Sequence, residues 1–376
     1  MNPEHDVLLA EVDQYVAGLD RSALPADLEK RFARLVAEQA ALDKAGLAVV
    51  AWPERFGGRG LGPAEAAIVA GLLGKAGAPE TINFVALEVV APALMRHASE
   101  EQLLQWLPPM APAEKVWCQL FSEPDAGSDL AALRTRAEPD GDDWIVTGTK
   151  LWCTWGQFAD LGLLLARTGS TDSRHRGITA FVIEMNSPGI EVRPLRSMTG
   201  VSEFAEVVFD GARVAGTQIV GTVDQGWAVA MDMLSAERGS YAVRRASVVS
   251  GALSALLDQA GNRQSSTVER DLLVKATIKM RLLDLRIEEV VRQLEAGESL
   301  GPEAAVTKLL LTEAEQTVMD VCHRSLDLQG IAWTGDEHPW VEAYLYSLAA
   351  SIYGGASEIQ RNTIGERLLG LPREPN

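Results

Sequence analysis

The apolar residues of this chain change their spacing twice, and the two changes restrict the folds open to it. Up to about residue 115 they recur at helical spacing, as at Val12 and Val16. From about 116 to 222 they form short alternating runs rich in Val, Ile, Thr and Phe, which is typical of strands. Helical spacing then returns. The sequence predicts an α+β protein with a helical domain over 1–115, a β domain over 116–222 and a helical bundle over 223–376.

The middle region carries its own turn signals. Asp140-Gly141-Asp142 and Asp210-Gly211 separate runs of strand-forming residues. The strands predicted with most support lie at 144–147, 161–166, 178–184 and 205–209. Several short strands with turns between them favour a compact antiparallel barrel or sandwich.

Composition excludes several classes of function. A net charge of −18 and an isoelectric point near 4.8 oppose binding to nucleic acid or to an anionic membrane. No apolar run approaches the length of about 20 residues that a membrane span needs. The first ten residues carry acids where a secretory signal carries bases, so a cytoplasmic location is expected.

The cysteines and histidines indicate neither a metal site nor a disulfide framework. Cys118, Cys153 and Cys322 are scattered and form no C-x-x-C pair, so buried free thiols are expected. The five histidines lie far apart, and none has the H-x-x-x-H or H-E-x-x-H spacing of a helical metal site. We therefore predict no metal.

The segment at 117–130, W-C-Q-L-F-S-E-P-D-A-G-S-D-L, begins apolar, turns and ends polar. Pro124 cannot continue a helix, so the backbone turns there. Gly127 permits a close backbone approach, and Ser122 and Ser128 offer hydrogen bonds to an anion or a planar heterocycle. The segment has two interpretations: it lines a bound cofactor, or it is an ordinary polar turn.

Two further segments give the first one a context. Residues 148–160 read G-T-K-L-W-C-T-W-G-Q-F-A-D, and residues 354–373 read G-G-A-S-E-I-Q-R-N-T-I-G-E-R-L-L-G-L-P-R. Together with F-S-E-P-x-A-G-S-D-L at 121–130, they resemble three motifs of the acyl-CoA dehydrogenase flavoprotein family, in the same order. The resemblance covers essentially the whole chain.

This resemblance implies an oxidoreductase that uses FAD to remove two hydrogens from adjacent carbons of an acyl-CoA and passes the electrons to an electron-transfer flavoprotein. A base takes the α proton, and a hydride leaves the β carbon for flavin N5. The positions that the resemblance assigns to FAD are Gln119, Phe121, Ser122, Gly127, Ser128, Trp152, Thr154, Arg263, Ser357 and Glu358. Trp152 has an alternative interpretation as a core residue, since tryptophans in strands usually pack in the interior.

The chain departs from many family members at the position of the catalytic base. They carry it in a Tyr-Glu-Gly-Thr turn, but this turn reads Tyr-Gly-Gly-Ala and places Gly354 at the glutamate position. Members that resemble isovaleryl-CoA dehydrogenase place the base before an arginine on the first long helix of the last domain, which here gives Glu237 and Arg238. By the same resemblance Ser128, Gly355 and Arg238 contact the substrate. A plain ion pair on a helix is the alternative for Glu237 and Arg238.

Two departures bear on assembly. The R-x-x-F-G segment that holds the flavin of a neighbouring subunit has its nearest match at Arg263, without the Phe-Gly, and the Q-x-x-G-G-x-G segment is altered at 326–332. These changes resemble actinobacterial-type members that act on bulky acyl groups such as steroid side chains, some of which are heterotetramers. The expectation is an active homo- or hetero-oligomer, a dimer or tetramer. The alternatives are a structural subunit that is inactive alone and an acyl-CoA oxidase that passes electrons to oxygen.

Overall fold

The computed structural model describes residues 3–237, 239–261, 266–298, 300–326 and 339–373. Helices occupy the chain up to residue 106, as predicted, and their ends follow local capping. The Asp27 carboxylate accepts a hydrogen bond from the Lys30 N–H at 2.9 Å, and Pro63 occupies a first turn. Ser99 and Gln102 form a capping box. The helices of this region are α1 (Pro3–Ala17), α2 (Leu28–Lys44), α3 (Pro63–Lys75), α4 (Ala91–His97) and α5 (Glu100–Trp106), with a π-helical turn at Val85–Val90 before α4.

The middle region is a sheet, and its strands include all four segments predicted from the sequence. Its order is β6-β7-β3-β2-β4-β5-β8, with β1 paired to β4. The strands are β1 (Trp117–Leu120), β2 (Arg136–Asp140), β3 (Asp143–Thr154), β4 (Leu161–Arg167), β5 (Ile178–Glu184), β6 (Ile190–Leu195), β7 (Phe204–Ala215) and β8 (Ile219–Val220).

One of the two predicted turns is a turn, and the other prediction is wrong. Asp140 and Asp143 face each other across the β2–β3 hairpin, with Gly141 at a φ of 65°. Gly211 instead lies inside β7, where the register to β3 shifts and its φ is 69°. It is the extra residue of a β-bulge, which accepts the same residue types as a turn.

Most strand pairs are antiparallel, but β1 runs parallel to β4, with Gln119 opposite Leu163. A single parallel bridge also joins β2 to β4, at Arg136 and Arg167. The β1–β4 pairing carries the chain directly from the sheet into the segment that begins at Phe121. This places the first of the three motifs beside the centre of the sheet.

The last region is helical as predicted, with breaks after Gly261 and Glu295. Helix α9 packs against α7, α8 and α10 and is the most buried helix of this region. The helices are α6 (Gly226–Glu237), α7 (Ser240–Gly261), α8 (Thr267–Glu295), α9 (Ala304–Arg324), α10 (Pro339–Ser347) and α11 (Ser357–Thr363), with a 3-10 turn at Leu348–Ser351 and a π-helical turn at Ile364–Leu368.

The largest apolar cluster joins the three regions. It includes Phe121 from the first motif and Met233 from α6, and Tyr353 from the C-terminal turn packs against it. Residues from distant parts of the sequence are therefore fixed by one core. The three cysteines are buried free thiols, as expected. Within the described ranges no helix is long and apolar enough to cross a membrane, and no group of His, Cys, Asp and Glu side chains is suited to hold a metal ion.

A partly buried ion group also links the regions. Arg31 on α2 donates to both carboxylate oxygens of Glu342 on α10, at 2.6 and 2.9 Å. Glu203, which precedes β7, lies 3.7 Å from the same guanidinium. Burial of Glu203 and the neighbouring Glu342 charge raise its pKa from 4.5 to about 7, against the attraction of Arg31.

We predict that Glu203→Gln becomes more stable than the wild type as the pH rises. Because the folded-state pKa is raised, the contribution of Glu203 to stability is complete below pH 4.5 and is lost as the pH approaches about 7. The difference in Tm between variant and wild type should therefore increase from pH 5 to pH 8. Differential scanning fluorimetry across this range measures it, with Glu138→Gln on exposed β2 as the matched control. A difference that does not vary with pH contradicts the prediction.

Candidate functional site

The first motif is fastened to the sheet by the buried carboxylate of Glu123. It accepts hydrogen bonds from the backbone N–H groups of Arg134, at 2.6 Å, and Thr135, at 2.9 Å. It also accepts one from the Nζ of Lys150 on β3, at 2.8 Å. The same Nζ donates to the carbonyl of Phe121 at 2.9 Å. One ion pair thus fixes both ends of the loop between β1 and β2.

The electrostatics of this pair favour the charged state of Glu123. Burial alone would raise the pKa of the Glu123 carboxyl, but the Lys150 charge and the hydrogen bonds from Lys150, Arg134 and Thr135 outweigh burial and lower that pKa. Burial lowers the pKa of Lys150 despite the attraction of Glu123. Removing either partner would leave an uncompensated buried charge, which is costly.

The second motif lies directly against the first. The backbone N–H of Leu151 donates to the carbonyl of Ser122 at 2.8 Å. At this point β3 has a β-bulge, which is seen as a shift in its register to β7 between Lys150 and Cys153. Trp152 occupies the bulge with a φ of 63°, a left-handed conformation that a bulky residue rarely adopts.

The side chain of Trp152 points out of the sheet. It is 58% exposed and makes an edge contact with Phe204, with ring centroids 5.9 Å apart. The interpretation of Trp152 as a core residue is therefore wrong. A strained backbone that presents an exposed aromatic ring is typical of a binding site. Thr154, two residues further on, is partly exposed.

These residues fit a planar, polar heterocycle such as a flavin. Ser122 is partly exposed and Gly127 and Ser128 are exposed, so their polar groups are accessible to a ligand. An added Cβ on Gly127 would meet no atom within 4 Å, so the surface there is open. Phe121 is different, because its side chain is buried in the core. Gln119, on β1, is partly buried.

A second group of predicted residues meets at the end of α6. Gly354 has a φ of 64°, and an ideal Cβ built on it would lie 3.0 Å from Oε1 of Glu237. The Glu237 carboxylate therefore occupies the space beside Gly354 that a longer side chain there would enter. Gly355 follows with a φ of 96°, so two successive residues of the turn have a conformation that favours glycine.

The remaining predicted residues are spread over the C-terminal region. Ser357 is buried at the start of α11, and Glu358 beside it is exposed, 3.9 Å from Arg361. Arg238 and Arg263 lie outside the described residues. Sequence reasoning missed the pairing of Glu123 with Lys150, although a lysine within an apolar strand is a signal that a buried partner exists.

Three family models together match almost the whole chain. They describe the N-terminal, middle and C-terminal domains of acyl-CoA dehydrogenase, and they match residues 2–114, 118–212 and 224–369. The chain therefore belongs to the acyl-CoA dehydrogenase family. It is an oxidoreductase of a family whose members are FAD-dependent flavoproteins, as the sequence resemblance implied.

Individual relatives agree with the family models. Acyl-CoA dehydrogenase IpdE1 of Mycobacterium tuberculosis is 35% identical over 340 residues, which cover 89% of this chain and 87% of that protein. Acyl-CoA dehydrogenase FadE29 of the same organism is 30% identical over 388 residues and covers 100% of this chain and 99% of its own length. Among solved structures, the Tcur3481-Tcur3483 steroid ACAD matches with a TM-score of 0.86 at 25% identity, over 100% of this chain and 99% of its own.

We predict that Lys150→Met destabilises the protein by about 3–5 kcal/mol and lowers its flavin content, because Glu123 would remain charged and buried without its partner. Urea unfolding and the visible absorption of the purified protein measure the two effects. Asp125→Asn is the matched control in the same loop, since its 3.7 Å contact with Arg134 is exposed and should contribute nothing measurable. Equal losses in both variants would refute the role of the Glu123–Lys150 pair.

Proposed function

We propose that this chain removes the α proton of an acyl-CoA with Glu237 while FAD is bound beside Trp152. The observation that carries the proposal is the position of the Glu237 carboxylate against Gly354. By the resemblance, many family members carry the base at the position that matches Gly354. Here the carboxylate of Glu237, from α6, reaches the same space. The alternative of a solvated ion pair on a helix fits less well, because Glu237 is partly buried.

The location of Glu237 suits a general base. Glu237 is the last residue of α6 and is partly buried, in surroundings that in general favour the protonated form of a carboxylate. When bound, the flavin accepts the hydride that leaves the β carbon. Glu237 takes and holds the α proton, and Ser122, Ser128 and Thr154 supply polar groups around Trp152.

Glu237→Gln should retain flavin but reduce it with acyl-CoA about 10²–10⁴-fold more slowly, the contribution expected from a general base. Anaerobic stopped-flow absorbance with butyryl-CoA, isobutyryl-CoA and a steroid side-chain acyl-CoA measures the rate. Glu295→Gln, at the exposed end of α8, is the matched control and should behave as the wild type. If Glu237→Gln retains flavin and full turnover, Glu237 is not the base.

The acyl group and the electron acceptor belong to the same proposal. We propose a bulky acyl group, supported by a similar structure described as a steroid ACAD. The proposed acceptor is an electron-transfer flavoprotein. Rapid reoxidation of the reduced flavin by air would instead indicate the acyl-CoA oxidase alternative. The domain limits of 1–115, 116–222 and 223–376 and the cytoplasmic location stay predictions.

A second candidate is a subunit of a heteromeric enzyme that is inactive alone. The observation that favours it is a structure described as the ChsE4-ChsE5 complex from Mycobacterium tuberculosis. It matches with a TM-score of 0.83 at 26% identity, over 100% of this chain and 99% of its own. In that arrangement a partner subunit would complete the cleft. The joint presence of Ser122, Ser128, Trp152 and Glu237 favours an active subunit, since an inactive one has no chemical need for all four.

The exposed face of α8 supports an oligomer. Val274, Ile278, Leu282 and Leu285 follow one another at helical spacing and are all exposed. A continuous apolar stripe of this kind marks a protein interface. We propose that it packs against a second copy of this chain or a related subunit.

Ile278→Glu combined with Leu282→Glu should therefore dissociate the oligomer, because two charges would have to be buried in the interface. Light scattering coupled to size-exclusion chromatography measures the mass. Lys279→Glu is the matched control for added charge on the same helix. A wild-type chain that is a monomer when purified alone would contradict a homo-oligomer.

A further inference from the structure

Helix α9 carries a row of polar residues on a face that is otherwise buried. Lys308, Thr312 and Glu315 are spaced four and three residues apart and therefore lie on one side of the helix. Their exposed fractions are 6%, 4% and 0%. Buried polar side chains need partners, and all three are directed at the segment from Ala350 to Tyr353 that precedes Gly354.

The contacts of this row fix that segment. Lys308 Nζ donates to the carbonyl of Ala350 and to Oγ1 of Thr312, and Thr312 Oγ1 donates to the same carbonyl at 3.0 Å. The ammonium also lies 4.6 Å from the centre of the Tyr353 ring, a cation–π contact. At the other end of the row, Glu315 accepts from the Tyr353 hydroxyl at 3.4 Å.

Lys308 is also a neighbour of the candidate base. The ideal Cβ position on Gly354 lies 2.9 Å from Cε of Lys308 and 3.0 Å from Oε1 of Glu237. At most about 6 Å therefore separates Cε of Lys308 from Oε1 of Glu237. The charged Nζ is one bond beyond Cε, so at most about 7.5 Å separates the two charges, a distance over which opposite charges still interact in a partly buried site. A side chain at position 354 would enter the space between them, which gives Gly354 a second reason to be glycine.

We propose that Lys308 is a positioning residue for Glu237. Its ammonium favours the ionised carboxylate that accepts the α proton, and its hydrogen bond to Ala350 fixes the turn that leaves room for that carboxylate. The proposal rests on the proposed function of Glu237. The positive charge of Lys308 acts against partial burial, which favours the protonated carboxyl group.

The described ionisable groups of α6 and α7 that are nearest in sequence to Glu237 have partners of their own. Arg245 on α7 holds Glu315 at 2.7 Å, Arg244 lies 3.6 Å from Glu88, and Asp232 on α6 is paired with His97 and Arg96. Tyr353 stays protonated, because burial and Glu315 raise its pKa well above the usual value. Arg238, next to Glu237 in the chain, lies outside the described residues.

The first test needs no flavin. A double-mutant cycle of Lys308→Met, Glu237→Gln and the combined variant, followed by urea unfolding of the apoprotein at pH 7, isolates the interaction between the two side chains. We expect the equilibrium constants to depart from additivity by about fivefold or more. An additive cycle overturns the proposal. If Lys308→Met does not yield folded protein, Lys308→Gln serves in its place, because it can still donate to the carbonyl of Ala350.

The second test follows the pH dependence of flavin reduction, using the acyl-CoA that reduces the wild-type flavin. Lys308→Met should move the acidic limb of the profile about one pH unit or more to higher pH, since Glu237 would lose a neighbouring positive charge. Lys308→Arg should restore the wild-type limb. Thr312→Val, which removes a neutral contact to the same turn, should leave the limb in place.

The outcomes separate this inference from the proposed function. If the wild-type flavin is reduced and Glu237→Gln is inactive, but the limb does not move in Lys308→Met, the role of Lys308 is refuted and the base assignment stands. If no acyl-CoA reduces the wild-type flavin, the proposed function fails. The double-mutant cycle still decides in that case whether Lys308 and Glu237 interact.

Discussion

The buried ion pair between Glu123 and Lys150 joins the loop of the first motif to the strand of the second. Without it, the loop from Phe121 to Thr135 would lose the two hydrogen bonds that Lys150 donates from β3, to Glu123 and to the carbonyl of Phe121. It would also lose the two that Glu123 accepts within the loop, from Arg134 and Thr135. The exposed indole of Trp152 lies two residues beyond Lys150, so the shape of the proposed flavin surface depends on this pair. A buried carboxylate with three donors tolerates little displacement, which suits a surface that must remain in one geometry.

The proposed base depends on a different constraint, the space at Gly354. A glycine with a positive φ permits the turn, and the absence of a Cβ leaves room for Glu237 from α6 and Lys308 from α9. The proposed catalytic carboxylate therefore comes from α6 instead of the turn. Phe121 and Met233 belong to one apolar core and Tyr353 packs against it, so the same core supports the proposed flavin surface and the proposed base.

Patterns in the sequence correctly predicted the features that depend on interactions between residues close together in the chain. The three regions follow from the spacing of apolar residues, and the β2–β3 hairpin follows from turn chemistry. The bulge at Gly211 was wrongly predicted as a turn, because both structures use a glycine with positive φ. The parallel pairing of β1 with β4 joins residues more than forty positions apart in the sequence, which no pattern among neighbouring residues predicts.

The sequence likewise predicted only part of the candidate site. Motifs identified Ser122, Trp152 and Glu237 as candidates, but only the structure shows that Trp152 is exposed and that Glu237 lies against Gly354. Lys308 was missed, because a lysine on a helix is usually a solvated residue and its burial depends on the packing of α9.

The most direct test of the account is the visible absorption spectrum of the wild-type chain purified alone, recorded anaerobically before and after addition of acyl-CoA. We predict a bound flavin whose absorption bleaches with at least one acyl-CoA, because the proposed flavin surface and the proposed base lie in one chain. A protein that stays colourless after reconstitution with FAD would contradict it and would favour a subunit that needs a partner.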